Sequence, residues 1–508
     1  MRVRSLGSSA GIAAAKNVRA PMLLTNKNCE NAEIVDTILL VLEISSEELR
    51  ALGHAALERV VGYYESLRDR PVVRPTTSAE LRGLVDSRLP EEGASFDTIL
   101  QTVENFVERY SRHSAHPRFF GYISSPGTPV NAIGAMIEAA LSVNVTCWRS
   151  APAGTEIEHV TMGWLKQMIG MPEESVGLFV SGGSMANFAA LAAARSAKAP
   201  GNVVRDGIGS QRMCVYVSPD GHYSIRKAAG MLGIGECNVR EVAFNDLERA
   251  VDEDTARGYL PFCIVASAGT TGTGAIDPLP ELADFARDRG LWLHVDAAYG
   301  GFAMLAPSAR PWFAGIERAD SVALDPHKWL YLPPGCGCVL YRDPAAASAA
   351  FSHEADYTRP IGLGQDETFA FWDYGPELSR PFRAFDLWLL MQYVGARPLG
   401  EAIERNMACA RHFAKLVEAS EDFEMLAPVG LSVFCFRYAP RGFSGDLDAL
   451  NERILVALQR AGSSYVSNTR VNGKFALRGC VLNYRTTQRD MEILLEDIRR
   501  AAALVSTV

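Results

Sequence analysis

The chain has 508 residues, of which 48% are hydrophobic and 21% charged, values close to those of an average soluble globular protein. Its 59 acidic residues exceed its 50 Lys and Arg, and the net charge of -9 argues against a surface that binds nucleic acid. The sequence has no uninterrupted run of 18 apolar residues, so we expect no membrane span. A chain of this length has room for roughly two to four domains.

The ten cysteines favour a cytoplasmic protein. They are scattered singly, apart from Cys336 and Cys338, and none of them forms a CxxC pair. This spacing does not match that of a zinc site, and a cytoplasmic protein keeps such thiols reduced. We therefore expect free thiols, no metal and a cytoplasmic location.

Residues 1–44 differ in composition from the rest of the chain. They carry early positive charge and many small residues, and no acidic residue precedes Glu30. The charged start is similar to that of a signal peptide, but the stretch that follows is poor in leucine, so secretion is disfavoured. We expect a poorly ordered extension.

Two amphipathic helices are predicted next, one beginning after Ser45 and one spanning residues 96–110. Ser45 is followed by two acidic residues, a typical N-cap pattern, and prolines at 71 and 75 end the first helix. Apolar residues recur at helical spacing in both segments. We predict that residues 45–128 form a helical N-terminal segment that packs on another part of the assembly and does not fold alone.

The middle of the chain alternates short apolar runs with helical patterns. The helical patterns include residues 186–197 and 279–289. The apolar runs, which lack polar alternation, are 178–180, 213–217, 262–266, 291–295, 321–324 and 338–341. Strands of this kind predict a mostly parallel sheet that is buried on both faces. We expect a large α/β domain over residues 129–385.

The remaining residues, 386–508, are predicted to form a small α+β domain. Helical patterns cover 385–393, 399–418, 447–461 and 491–504, and β-like runs lie at 431–436 and 475–477. Helices beside a small antiparallel sheet explain this alternation.

Three features lie at the ends of predicted strands, where open α/β sheets bind ligands. The glycine-rich turn at 181–187 opens a helix and offers amides and Ser184 to a phosphate, although an ordinary strand-to-helix turn has the same pattern. Asp296 ends a strand as either a functional carboxylate or an N-cap. Lys328 follows a buried strand between His327 and Trp329, where desolvation would lower its pKa toward amine chemistry unless the side chain reaches solvent.

Together the three features specify a cofactor. Pyridoxal phosphate (PLP) needs a phosphate cradle, a carboxylate that keeps its ring nitrogen protonated, and a lysine that forms a Schiff base. All three occur here in order, in one predicted α/β domain.

Four motifs carry a resemblance to a known family: HPRFFGY (116–122), GGSMAN (182–187), HVDAAYGG (294–301) and DPHKWL (325–330). From about residue 45 to residue 504, the chain resembles the group II PLP-dependent amino-acid decarboxylases, which include aromatic-amino-acid, histidine and cysteine-sulfinate decarboxylases. The resemblance implies fold type I, with an aspartate-aminotransferase-like large domain. It also implies a homodimer with shared active sites, in which the N-terminal segment clasps the partner.

The resemblance also implies roles for individual residues. Lys328 would hold the internal aldimine, and Asp296 would pair with the pyridinium nitrogen. The other implied cofactor contacts are His222 and Ala298 on the two ring faces, Thr271 behind Asp296, and Gly183, Ser184 and His327 at the phosphate end, which Ser379 reaches from the partner subunit. Asp325 is also expected to bind the cofactor.

Tyr357 is assigned to catalysis by the resemblance alone. It lies in a polar segment, residues 351–371, which we interpret as a mobile lid. In the family, the tyrosine at this place protonates Cα after decarboxylation, and relatives with Phe there tend to form an aldehyde with O₂. An ordinary surface tyrosine remains the other interpretation.

The predicted substrate pocket departs from the aromatic-decarboxylase pattern. Its residues are Ser114, Tyr122, Ile123, Ser125, Asn144 and Thr146. Aromatic surface is replaced by hydroxyl and amide groups, which favours a polar or bulkier substrate over an indole or a catechol. Arg149 could bind a substrate carboxylate, or it has a structural role.

The leading hypothesis is therefore a carboxy-lyase that converts an L-amino acid to its amine and CO₂. Two alternatives use the same cofactor: decarboxylation coupled to oxidative deamination, and β-elimination from an S-substituted cysteine. A catalytically silent relative is disfavoured because Lys328, Asp296 and His222 are all present.

Overall fold

The structure, a computed structural model, describes residues 42–353 and 366–506. Tyr357, most of the predicted lid and nearly all of the predicted N-terminal extension lie outside the described residues. The chain divides into two compact units, one ending at Arg112 and one beginning at His113. The predicted boundary at residue 128 thus falls inside the second unit.

The first unit contains the two predicted amphipathic helices. Ser45 caps the first, since its side-chain oxygen accepts a hydrogen bond from the amide of Glu48 at 3.1 Å. The second changes from α-helical to π-helical at Val103. Arg59 donates to both carboxylate oxygens of Glu108 at 2.6 and 2.5 Å, which ties the two helices together.

The structure gives definite bounds to the elements. The α-helices are Ser46–Glu65, Ser78–Leu84, Phe96–Thr102, Pro129–Leu141, Pro152–Ile169, Gly183–Lys198, Val203–Asp206, Ser224–Met231, Leu247–Ala256, Leu279–Arg289, Pro326–Trp329, Pro344–Phe351, Arg383–Val394, Ala396–Glu418, Leu447–Ala461 and Gln488–Ser506. The strands are β1 Val176–Val180, β2 Met213–Val217, β3 Val239–Glu241, β4 Leu260–Ser267, β5 Trp292–Asp296, β6 Ser321–Leu324, β7 Gly337–Tyr341, β8 Phe423–Met425, β9 Val433–Tyr438, β10 Ser467–Val471 and β11 Lys474–Cys480.

Strands β1 to β7 form one sheet in the order β1-β7-β6-β5-β4-β2-β3. The pairs β2–β3, β2–β4, β4–β5 and β5–β6 are parallel, and β7 runs antiparallel to both of its neighbours. Every residue of β2 is buried, as expected for a sheet covered on both faces. The predicted mostly parallel sheet, its six strands and the helix at 279–289 are confirmed.

A second sheet, in the order β10-β11-β9-β8, is antiparallel throughout. The helices Ala396–Glu418, Leu447–Ala461 and Gln488–Ser506 accompany it, and its core contains closely packed rings such as those of Phe413 and Phe434, whose centroids are 4.4 Å apart. This confirms the small α+β part.

The HPRFFGY segment packs against this small sheet. The amide of Phe120 donates to the carbonyl of Tyr465 at 2.7 Å, and the amide of Cys480 donates to the carbonyl of Phe120 at 2.9 Å. The Phe120 ring is fully buried in the phenylalanine core. These contacts explain why the second unit begins as early as His113.

Among the described helices, none combines the length and the apolar character that a bilayer crossing needs. In the same part of the chain, His, Cys, Asp and Glu side chains nowhere gather in a group of three or more that could hold a metal ion. The nine described cysteines are all free thiols.

Candidate active site

A cavity of about 360 Å³ lies at the carboxyl ends of the parallel strands, within the usual size range of small-molecule sites. It is lined by Ser181, Gly182, Gly183, Ser184, Met185, Asn187, Asp220, His222, Tyr223, Ser267, Gly269, Thr270, Thr271, Asp296, Ala298, Tyr299, Asp325, His327 and Lys328. The three strand-end features therefore meet in one place, as the sequence predicts.

The glycine-rich turn leaves room for an anion. Gly182 has a φ of 154°, and a Cβ there would lie 3.0 Å from the His327 ring. A Cβ on Gly183 would lie 2.8 Å from Oδ2 of Asp325 and 2.9 Å from Cβ of Ala298. The helix Gly183–Lys198 begins at this point, and the unpaired amides of a helix N-terminus favour a phosphate.

Lys328 lies in the short helix that follows β6 and forms an ion pair with Asp325, its Nζ lying 2.9 Å from Oδ2. Burial disfavours the charged amine, but the carboxylates of Asp325 and Asp296 outweigh this effect and raise the pKa of Lys328 above 10.5. The expectation that desolvation lowers this pKa is therefore wrong for the chain without cofactor. Asp325 and Asp296 are both expected in this site from the sequence, but neither was expected to act as the counter-ion of Lys328.

Asp325 and His327 form the wall beside the glycines. Nδ1 of His327 donates to the carbonyl of Cys336 at 2.8 Å, which leaves Nε2 facing Oδ2 of Asp325 at 3.6 Å. In the described part of the chain, no donor reaches Oδ1 of Asp325, which is buried.

Asp296 ends β5 and points into the cavity. Its Oδ1 accepts from the amide of Ala298 at 3.1 Å, and its Oδ2 accepts from Nδ2 of Asn187 at 2.8 Å. Thr271 lines the cavity but makes no described hydrogen bond to this carboxylate. The support of Asp296 that the resemblance assigns to Thr271 is supplied by Asn187 in the structure.

His222 faces the same cavity. Burial lowers the pKa of its imidazole, an effect only partly offset by the nearby charge of Asp296. The ring is therefore neutral at pH 7, which suits a group that lies flat against an aromatic cofactor.

Contacts from the small α+β part hold the lysine segment. Nε1 of Trp329 and the hydroxyl of Tyr331 both donate to Oδ1 of Asn406, at 3.1 and 2.8 Å. The ring of Trp329 stacks on Tyr299 with centroids 5.1 Å apart. These supporting residues were not predicted, since only the fold brings Asn406 to the lysine segment.

Other predicted site residues do not line this cavity. They are Ser379, Ser114, Tyr122, Ile123, Ser125, Asn144 and Thr146. Ser379 is exposed in the single chain. Their substrate and cofactor roles stay predictions.

Two of these residues have structural contacts of their own. Oδ1 of Asn144 accepts from the amide of Arg380 at 2.8 Å, and the hydroxyl of Thr146 donates to the carbonyl of Leu378. Their polar groups therefore bind the segment around Ser379. The Thr146 hydroxyl in particular is buried and already donates its proton.

Comparison with known proteins decides the family. Residues 78–439 match the pyridoxal-dependent decarboxylase conserved domain. The chain belongs to the pyridoxal-dependent decarboxylase family. It is 32% identical over 475 residues to an aromatic-L-amino-acid decarboxylase of Bacillus atrophaeus, covering 92% of this chain and 98% of the relative.

Two further relatives span most of the chain. A phenylacetaldehyde synthase of a Rosa hybrid cultivar is 29% identical over 463 residues, which is 87% of this chain and 91% of the relative. The crystal structure of Oryza sativa TDC with PLP and tryptamine superposes with a TM-score of 0.85 at 27% identity, covering 91% of this chain and 99% of that chain. The family fold is type I, in agreement with the sheet observed here.

The enzyme is thus a decarboxylase whose cofactor is PLP, and the cavity fits that group. Gly183, Ser184 and His327 would hold its phosphate, Lys328 would bind it covalently, and Asp296 would pair with its ring nitrogen. When bound, PLP supplies the electron sink for the electron pair that CO₂ leaves at Cα.

Proposed function

We propose that this decarboxylase converts an L-amino acid to its amine and CO₂. The observation that carries the proposal is the cavity in which Lys328 lies between two carboxylates, those of Asp325 and Asp296, next to the glycine-rich helix start. This arrangement can hold an anionic cofactor, bind it covalently and keep its ring nitrogen protonated.

The reaction needs the protein to exclude water and to deliver a proton to Cα. We assign the proton delivery to the hydroxyl of Tyr357, on the strength of its place in the family sequence pattern. His222 would face the reacting atoms from inside the cavity.

For the substrate, we propose a polar side chain. What supports this is the sequence of the predicted pocket, where Ser114 and Asn144 take positions that aromatic decarboxylases fill with larger apolar side chains. An amide and a hydroxyl can pair with polar substrate atoms, whereas an indole gains more from aromatic surface.

We also propose that the active enzyme is a homodimer. In support, the helix Pro129–Leu141 exposes apolar side chains that a monomer would leave in water, namely Ile133, Met136, Ile137 and Leu141. In the first unit, the helix Ser46–Glu65 has no buried residue and exposes Leu49, Leu57 and Val61. The variant Met136→Lys should sediment as an inactive monomer, and an active monomer would overturn the dimer.

The decisive experiment is a panel of polar and aromatic L-amino acids, incubated with the purified PLP-loaded enzyme while CO₂, amine, aldehyde, ammonia and O₂ are measured. We expect amine and CO₂ in equal amounts, no O₂ uptake and the fastest turnover with a polar substrate. Ammonia without CO₂ would point to elimination and contradict the proposal. Turnover confined to aromatic substrates would contradict the substrate class alone.

Aldehyde formation is the second candidate, because one relative is named a phenylacetaldehyde synthase. That reaction consumes O₂ and releases ammonia and peroxide along with CO₂. Tyr357 favours the amine instead, so Tyr357→Phe should move product toward aldehyde. An unchanged product ratio in this variant would remove Tyr357 from the mechanism.

A further inference from the structure

A chain of buried hydrogen bonds runs beneath the cavity and ends on His222. We propose that this chain, with Asn187 at its branch point, fixes the neutral His222 ring as the tautomer that carries its proton on Nε2. Ser224, Asn187, His294, Ser321 and Trp292 form it, and each of them is buried.

At the Trp292 end of this hydrogen-bond network, the direction of donation is fixed. The indole Nε1 of Trp292 can only donate, and it donates to Oγ of Ser321 at 2.8 Å. Nδ1 of His294 lies 2.9 Å from the Ser321 hydroxyl and 3.2 Å from the Ser321 carbonyl oxygen. The proton of the Ser321 hydroxyl is therefore available to that nitrogen.

The other end is fixed by the carboxylate of Asp296, which can only accept. Because Nδ2 of Asn187 lies 2.8 Å from Oδ2 of Asp296, the reversed amide would place two oxygens against each other. The amide oxygen of Asn187 must therefore face Nε2 of His294, at 2.9 Å. This contact requires a proton on Nε2 of His294, whose pKa burial lowers to about 4. Nδ1 of this neutral ring therefore accepts from the Ser321 hydroxyl, which is nearer than the Ser321 carbonyl oxygen.

The branch toward His222 follows from the same amide. The second Nδ2 hydrogen of Asn187 goes to Oγ of Ser224 at 2.9 Å. The Ser224 hydroxyl then donates to Nδ1 of His222 at 2.8 Å, and the Ser224 amide lies 3.3 Å from the same nitrogen. Nδ1 of His222 thus accepts, and the proton of the neutral ring sits on Nε2.

Asn187 therefore fixes the orientation of the Asp296 carboxylate, and through Ser224 it selects the tautomer of His222. We class Asn187 as a positioning residue, since it acts through these two groups. Its importance for turnover rests on the proposed function, but the tautomer is a property of the folded chain and can be measured without substrate.

The test is solid-state ¹⁵N NMR of the full-length, PLP-loaded enzyme labelled at its nine histidines. His222→Gln assigns the His222 signals. In the unmodified enzyme we expect a protonated Nε2 and an unprotonated Nδ1 for His222. Ser224→Ala leaves only the longer 3.3 Å contact of the residue-224 amide with Nδ1, so this variant should introduce a fraction of the Nδ1-protonated form. Ser218→Ala changes a nearby serine that does not belong to the hydrogen-bond network, and it should leave the tautomer unchanged.

A protonated Nδ1 on neutral His222 in the unmodified enzyme would overturn the proposal before any variant is made. An unchanged tautomer in a folded Ser224→Ala enzyme would also overturn it. A fixed Nε2 tautomer in an enzyme that releases no CO₂ from any amino acid would contradict the proposed function alone.

Discussion

Two ion pairs in the same unit differ in whether solvent and ligands can reach them. Arg380 and Glu158 are completely buried, and Nη2 of Arg380 lies within hydrogen-bond distance of Oε1 of Glu158 at 2.5 Å. The same guanidinium also donates to the carbonyls of Val145 and Phe179, each at 2.8 Å, and stacks over Phe371 at 4.2 Å from the ring centre.

The second pair, Lys328 and Asp325, lies at the cavity. The Lys328 side chain keeps 20% of its surface exposed, whereas the side chains of Arg380 and Glu158 keep none. Each carboxylate has one oxygen without a described donor, Oδ1 of Asp325 and Oε2 of Glu158, so accessibility is what separates the two pairs. Breaking the sealed pair would leave an uncompensated buried charge, so the folded state depends on keeping both partners. An accessible pair can exchange its partner for a ligand, as cofactor binding requires.

The largest effect should come from the accessible lysine. Lys328→Ala removes the amine that binds the cofactor, and we expect kcat to fall by at least about 10⁴-fold, the scale seen when a covalent catalytic group is lost. The visible absorption band of the bound cofactor should disappear as well. Lys415→Ala, at an exposed helical position, is the control and should retain both.

Persistence of the band in Lys328→Ala would mean that another group binds the cofactor. The proposed difference between the two ion pairs would then be wrong, because Lys328 would not be the residue that binds the cofactor.

The sealed pair should affect stability more than catalysis. Glu158→Gln leaves the buried guanidinium without its counter-ion, and we expect the free energy of unfolding to fall by about 3–5 kcal/mol, measured by chemical denaturation. Adding Arg380→Met should cost less than the sum of the two single changes, because the uncompensated charge is then removed. The exposed pair of Arg397 and Glu401 offers the control, since Glu401→Gln should cause no measurable loss.

If Glu158→Gln unfolds at the same denaturant concentration as the unmodified enzyme, the sealed pair contributes no stability. The division of the two pairs into structural and reactive would then be wrong.

A third experiment concerns the pH at which the cofactor enters. Only the neutral amine of Lys328 can attack the cofactor aldehyde, and the carboxylates of Asp325 and Asp296 raise its pKa although burial opposes them. Asp325→Asn removes one of these charges, so the pKa falls and the neutral amine forms at lower pH. The rate at which the cofactor-free protein incorporates PLP should therefore reach its plateau at lower pH than in the unmodified protein.

An unshifted pH profile in Asp325→Asn would show that this carboxylate does not control Lys328. Lys328→Ala supplies the blank for the same measurement, because it has no amine at this position.

Much of the fold follows from local patterns. The helix Leu279–Arg289 was predicted with its exact bounds, since Pro278 and Pro280 mark its start and Gly290, with a φ of 65°, ends it. The strands of the large sheet were equally visible because both of their faces are apolar. The three-residue strand β3 was missed, since a run of that length carries no periodic signal.

Only the site residues that lie in short sequence motifs could be predicted. Lys328, Asp296 and Gly183 lie in short segments at strand ends, and the cavity brings them together. The links between distant segments were not predictable: Asn187 lies 109 residues from Asp296, and Arg380 lies 222 residues from Glu158. Such pairs depend on three-dimensional packing, which spacing in one sequence does not encode.

The smallest expected effect tests one of these missed links. The resemblance places Thr271 behind Asp296, whereas the structure gives that contact to Asn187. Thr271→Val keeps the shape of the side chain and removes only its hydroxyl, so we expect kcat/KM to change by less than about threefold, a fraction of 1 kcal/mol. Asn187→Leu, which removes the amide from Asp296, should lower kcat by a larger factor while PLP remains bound. If Thr271→Val is the more damaging change, the hydroxyl supports the carboxylate in the working enzyme, and the contact seen in the single chain is not the one that catalysis uses.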